Sequence, residues 1–180
     1  ATLVAAVSLE ALAAPKDAIH PALARSNGAG VGKVIERLNQ LLEGSRVTPY
    51  KLQAAISLRI IPQVHGAHLD ALDQVRSGIE QTISTFSGNP MLVEDDGEGQ
   101  ARLLSVGSFH NQLLVNLIEY LAIATSHVVC LSERRLHRMM DENQTGLNPQ
   151  LAPRPGLDAG MVVAHKACID LVARVRMAAQ

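Results

Sequence analysis

Aromatic side chains make up only 2% of the 180 residues and tryptophan is absent. No stretch alternates apolar and polar residues in the way a half-buried strand requires, so an all-β or sheet-based core is not expected. Cysteine is almost as scarce. Cys130 and Cys168 each sit inside an apolar stretch with helical spacing, which reads as buried free thiols in a reducing, cytoplasmic setting rather than a disulfide framework. Charge of one sign is missing too: sixteen Lys and Arg face seventeen Asp and Glu for a net charge of -1. They are scattered, leaving no basic stripe to follow a phosphate backbone, so nucleic acid is not an expected partner. No run reaches the roughly 18 uninterrupted apolar residues of a membrane span. The opening ATLVAAVSLEALAAP has no basic start and carries Glu10 within its apolar run, so it is expected to be a core helix and not a signal peptide.

What the chain does have is apolar mass, 47% of residues, with helical periodicity. Leu3, Val7 and Leu12 among alanines predict a first helix ended near Pro15. Val31, Val34, Ile35, Leu38, Leu41 and Leu42 predict a second, with Gly44 at its C-cap. From Pro49 to about Ser87 the spacing of Ile56, Ile60, Val64, Leu69, Leu72, Val75, Ile79 and Ile83 predicts one long helix bent at Pro62. Gly88 to Ser108 reads as the longest loop, with an acidic tip in EDDGEG. Phe109 to Met140 contains neither proline nor glycine and predicts a helix over roughly 40 Å long, the spine of a bundle. Asp158 to Met177 predicts the last helix. The expected class is all-α, a long-helix bundle occupying 1–180 as a single domain.

Two segments carry a resemblance. Gln53-Ala-Ala-Ile-Ser-Leu-Arg59 with Pro62-Gln63-Val64-His-Gly66 is one. Gly107-Ser-Phe109-His110 followed by Leu131-Ser-Glu133-Arg134-Arg135 and Met140-Asp141 is the other. Together with Ser87-Gly88-Asn89-Pro90, Gly146-Leu147, Gly160-Met161 and Ser8-Leu9-Glu10-Ala11-Leu12, in that order along the chain, they resemble the aromatic amino acid ammonia-lyases, the histidine and phenylalanine ammonia-lyases among them. The resemblance covers nearly the whole chain. It implies a long-helix bundle that assembles as a tetramer, and it implies chemistry that eliminates ammonia through a methylidene-imidazolone formed from an internal Ala-Ser-Gly.

The chain departs from that pattern. It contains no Ala-Ser-Gly, and no ordinary side chain replaces such an electron sink. The family's tyrosine falls at Ile56 and its neighbouring aspartate at Ala54, and an isoleucine moves no proton. The family's further glutamate, beyond Gln180, has no counterpart. Ammonia elimination is therefore not expected, and no cofactor is expected.

The ligand-holding part of the pattern remains. Gln53, Ile56, Arg59 and Gln63 recur every three to four residues and are expected on one helix face, where Arg59 would clamp a carboxylate with its two-donor fork. The resemblance gives Arg59 the substrate carboxylate and places Phe109 in the pocket lining. His110 and Asn111 follow at the start of the long helix, whose free N–H groups favour an anion. The substrate-binding candidates are thus Gln53, Ile56, Arg59, Phe109 and Asn111, and the acid–base candidates are His110, Glu133 and His65. Each also has a structural reading: Arg59 in an ion pair of the bundle, Phe109 as core, His110 as a satisfied histidine. Glu133-Arg134-Arg135 with Arg138 would then be an ion-pair network. His65 and His68 are spaced to share a metal, but no third ligand is evident and no metal site is expected.

Two functions fit. One is a repurposed enzyme that binds an amino-acid-like carboxylate and uses acid–base chemistry, such as cyclisation or condensation of an amine substrate. The other is a non-catalytic binding or scaffold protein that associates with a full-length lyase. Either is expected to form a homo-oligomer, a dimer or tetramer, through its long helices.

Overall fold

The computed structural model of the chain describes residues 1–25, 27–94 and 99–180. The described residues form seven α-helices and one small β-ribbon, in the order α1 (Thr2–Ala11), α2 (Ala29–Leu41), α3 (Ile56–Arg59), α4 (Ile61–Ile83), β1 (Met91–Val93), β2 (Arg102–Leu104), α5 (Gln112–Met139), α6 (Glu142–Thr145) and α7 (Val162–Ala178). Short 3₁₀ turns at Lys16–Ile19, Pro21–Arg25 and Pro149–Leu151 complete the connections. The all-α class read from periodicity holds.

Three local expectations change. The segment after Pro49 is not one bent helix: an irregular stretch runs to Ala55, α3 makes a single turn, and α4 starts after a break at Ile60. Pro62 lies in the first turn of α4, where its missing N–H costs no helical bond, so it starts the helix instead of kinking it. The loop after Gly88 holds an antiparallel pairing of Met91 with Leu104, Leu92 with Leu103 and Val93 with Arg102. Three-residue strands are too short for an alternating pattern to be legible. The acidic tip at 95–98 lies outside the described residues.

The core gathers where α1, α2, α3, the start of α4 and the far half of α5 meet, around Ala5, Leu9, Leu12, Ile19, Val34, Leu38, Leu58, Ile61 and Leu131. Helix α1 is a core helix through its alanine face, while Leu3, Val4 and Val7 lie exposed on the other side. Helix α2 buries Val31, Val34, Ile35 and Leu38, and Gly44, just past its end, takes the left-handed conformation with φ of +73°. The opposite end of the bundle is barely covered. Ile83, Phe86, Leu92, Leu103 and Phe109 are exposed there, as are Leu113, Ile118 and Ile123 along the first half of α5. By length and composition α5 is also long and apolar enough to cross a membrane, although the sequence shows no uninterrupted apolar run of that length; only 11% of its most apolar stretch is buried, and a single such helix is weak evidence for a span. Cys130 and Cys168 are free and half-buried, not fully enclosed.

Asn111 caps α5 by accepting a hydrogen bond from the Leu114 N–H at 3.2 Å. Asn111→Ala is expected to cost about 1 kcal/mol through the orphaned first-turn amide, measurable as a shift in the urea midpoint. An unchanged midpoint would show that the cap carries no weight.

Candidate functional site

The site is built from two irregular segments held by side-chain to backbone hydrogen bonds. Asn39 on α2 donates to the Ile19 carbonyl at 2.7 Å, which fixes the turn carrying Asp17 and Ala18. The Tyr50 hydroxyl donates to the Gln144 carbonyl, and Lys51 Nζ donates to Gln144 Oε1 at 2.8 Å, pinning the 50–55 stretch against α6. Between these two segments lies a cleft of about 460 Å³ lined by Pro15, Asp17, Ala18, Leu52, Gln53, Ala54 and Arg59. Arg59 closes the turn of α3, its N–H bonded to the Ala55 carbonyl at 3.2 Å.

Gln53 and Arg59 therefore do share a cavity, though not one helix face: Gln53 is in the irregular stretch, Arg59 ends α3 and Gln63 belongs to α4. The Arg59 guanidinium makes no ion pair among the described residues, and its Nε is enclosed without a protein partner. The cleft thus presents an unneutralised cation on one wall and Asp17 on another. Asp17 was not picked out from the sequence, and its one signal there is being the lone acid in the turn between Pro15 and Pro21.

The remaining candidates are dispersed. Ile56 opens α3 and is 56% exposed, outside the cleft. His65 is 2% exposed in the core of α4, with Nε2 lacking a protein partner. Burial, reinforced by the nearby Arg135 guanidinium, pushes its imidazole down to about 4, so it is neutral at physiological pH. Glu133 is 5% exposed on α5. It accepts hydrogen bonds from Arg134 and from His165 Nε2, the latter at 2.6 Å. Burial alone would raise its carboxyl, but those two donors outweigh burial and hold it below the ordinary carboxylate value. The expected ion-pair network is accordingly smaller than Glu133 with Arg134, Arg135 and Arg138: the second partner of Glu133 is His165 of α7, and Arg135 and Arg138 have no ion pair among the described residues.

His110, Phe109 and Asn111 stand at the other end. His65 lies within electrostatic reach of Arg135, while Gly78 lies against Leu117, so α4 and α5 run antiparallel. From Gln112 to Glu133 the helix rises about 30 Å. Phe109 is 64% exposed, the His110 ring meets Gln112 Oε1 at 3.0 Å, and the His110 backbone N–H donates to the Gly107 carbonyl at 2.9 Å. Asn111 has its oxygen committed to the helix cap. One copy of the chain therefore does not bring His110, His65 and Glu133 together, nor Phe109 to Arg59. Among the described residues no group of three metal-ligating side chains converges on a point.

The family profile described as aromatic amino acid lyase matches residues 1–180. A histidine ammonia-lyase of Geobacillus sp. (strain WCH70) is 34% identical over 175 residues, which is 94% of this chain and 34% of the relative. One from Anaeromyxobacter dehalogenans (strain 2CP-C) is 32% identical over 180 residues, 96% of this chain and 35% of the relative. The chain spans about a third of the length of these curated relatives. Among solved structures, a histidine ammonia-lyase from Trypanosoma cruzi superposes with a TM-score of 0.83 at 27% identity, over 98% of this chain and 32% of that one. The ergothionase of Treponema denticola superposes with a TM-score of 0.82 at 25% identity, over 99% and 36% of the two chains.

Proposed function

Since the chain belongs to the aromatic amino acid lyase family, we propose that its 180 residues form a single helical unit whose Arg59 cleft binds a small amino-acid-like carboxylate. The observation that carries this reading is the unpaired Arg59 guanidinium facing a cleft that also holds Gln53 and Asp17. A guanidinium offers a carboxylate two parallel N–H donors, and Asp17 suits the ammonium group of the same ligand. The volume falls in the lower half of the range of small-molecule sites, roughly 300–1,000 Å³.

These 180 residues contain no Ala-Ser-Gly, and the position given to a proton-transferring tyrosine holds Ile56. We infer that this polypeptide by itself does not eliminate ammonia. Its intact mass should equal that of the encoded chain with no loss of water, and borohydride should leave it unmodified. Mass loss of one water would overturn this.

The acid–base chemistry of a repurposed enzyme, such as cyclisation or condensation of an amine substrate, needs a proton-transferring group beside the ligand. His110 and Phe109 stand about a helix length away from the cleft of their own chain, so they reach an Arg59 cleft only on a second copy. The exposed apolar end of the bundle supports such a homo-oligomer. Sedimentation at micromolar concentration should give a dimer or larger, and a compact monomer would contradict it. In that monomeric case the alternative gains, a non-catalytic scaffold that rests its apolar end on a full-length lyase.

Ligand binding is tested by titrating the protein with phenylalanine and with 3-phenylpropanoate. Arg59→Ala should weaken both by about tenfold or more, the usual weight of hydrogen bonds to a charged group. Asp17→Asn should weaken phenylalanine alone. Wild-type affinity in Arg59→Ala would remove the anchor role.

A further inference from the structure

Residues 46–54 carry the Leu52, Gln53 and Ala54 wall of the Arg59 cleft, yet they form neither helix nor strand and none of them is buried. No apolar core holds this wall, and ordering an unsupported stretch of backbone has an entropic cost at every residue. Among the described residues, its hydrogen bonds to the rest of the fold are three, and all end on α6. The Tyr50 hydroxyl donates to the Gln144 carbonyl. Lys51 Nζ donates to the Asn143 carbonyl at 3.3 Å and to Gln144 Oε1 at 2.8 Å. The same Nζ lies 5.2 Å from the centre of the Tyr50 ring, so the two side chains reach α6 as a pair. The space that Tyr50, Lys51 and Ala54 share with Arg138 and Gln144 amounts to about 20 Å³, so the wall rests against its support with almost no gap.

Helix α6 suits that role because its own ends are fixed. Asp141 Oδ1 accepts the Asn143 N–H at 3.0 Å, and Gly146 ends the turn in the left-handed conformation with φ of +69°. Neither Tyr50 nor Lys51 lines the Arg59 cleft. We propose that Tyr50 and Lys51 are positioning residues of that cleft: anchored on α6, they hold Gln53 across from Arg59 so that the site is formed before a carboxylate arrives. The proposal rests on the carboxylate reading of the Arg59 cleft. A released wall occupies its binding position only part of the time, and the apparent affinity falls by that fraction.

The test combines NMR order parameters of the 51–54 backbone amides with titration by 3-phenylpropanoate, both on the 180-residue protein. In the Tyr50→Phe/Lys51→Met double variant the order parameters should fall from a rigid value of about 0.85 to below about 0.6. Affinity should drop at least about fivefold, in proportion to the lost competent fraction. The melting temperature should stay within about 2 °C, because both side chains lie at the surface away from the core. Lys51→Arg alone keeps a cationic donor and should bind within about twofold of wild type. Lys33→Met, which breaks an exposed pair with Asp73 between α2 and α4, should change neither readout. Order parameters that stay rigid in the double variant overturn the proposal whatever the ligand does, and wild-type affinity despite a mobile wall overturns it too. If the wild-type protein binds no 3-phenylpropanoate, the ligand reading of the cleft fails, and the order parameters alone decide whether Tyr50 and Lys51 hold the wall.

Discussion

Gly66→Ala is expected to destabilise the fold by about 2–3 kcal/mol, although alanine is the better helix former. A Cβ at Gly66 would stand 2.5 Å from the Val31 nitrogen and 2.7 Å from its Cα. From the facing helix, a Cβ at Gly30 would stand 2.2 Å from the Gly66 carbonyl oxygen. These are backbone atoms, which do not rotate aside, so α2 and α4 must move apart along the face that buries Val34, Ile35 and Leu38. Overpacking of this kind costs typically 1–3 kcal/mol and occasionally more, set against a gain of at most about 1 kcal/mol from propensity. The melting temperature should fall by roughly 5–10 °C for a chain of this length. Gly78→Ala is the control, because its Cβ meets only Leu117, nearest at the flexible Cδ1. Equal melting points for Gly66→Ala and wild type would show that the two helices have room to spare.

The second large effect is acid lability centred on His65. Its folded-state value of about 4 lies below the ordinary histidine value of 6.5, chiefly because burial opposes the charged form, with Arg135 and His68 adding repulsion. Between those values the unfolded chain takes up a proton that the folded chain refuses. Stability is thus fully retained above about pH 6.5 and falls as pH drops, the loss being complete near pH 4. At about 1.4 kcal/mol per pH unit the loss approaches about 3 kcal/mol. Urea midpoints measured from pH 7 to pH 4 should fall more steeply for wild type than for His65→Met. Parallel curves for the two proteins would sink the assignment, whatever carboxylates elsewhere contribute to both.

The bundle was legible because its long helices carry strong periodicity: α2, α5 and α7 fall within a few residues of the positions their apolar spacing indicates, and α4 ends close to its expected end though it starts about twelve residues late. What failed was local. Pro62 reads as a kink or as a first-turn residue depending on whether Gln53 to Ile60 is helical, and spacing alone placed those residues on a helix that the structure breaks. That same misreading put Gln53, Ile56 and Arg59 on one face, whereas the cleft draws Gln53 and Arg59 together through an irregular segment and turns Ile56 outward. Asp17 and His165 escaped notice because each acquires its meaning from a distant element: Asp17 from the 50–55 stretch, His165 from Glu133 on α5. The separation of His110 from His65 and Glu133 follows from the antiparallel run of α4 and α5, which no motif spacing encodes.

Helix α7 contains no buried residue, and the core gathers without it. Such an element is expected to open independently of the rest, with a free energy well below that of global unfolding. Amides of Val162–Ala178 should therefore exchange with deuterium sooner than those of α2. When α7 peels away, it takes His165 from Glu133 and leaves the carboxylate to Arg134 alone. The first step of unfolding would in this way strip the buried Glu133 carboxylate of one of its two partners before it disturbs the core.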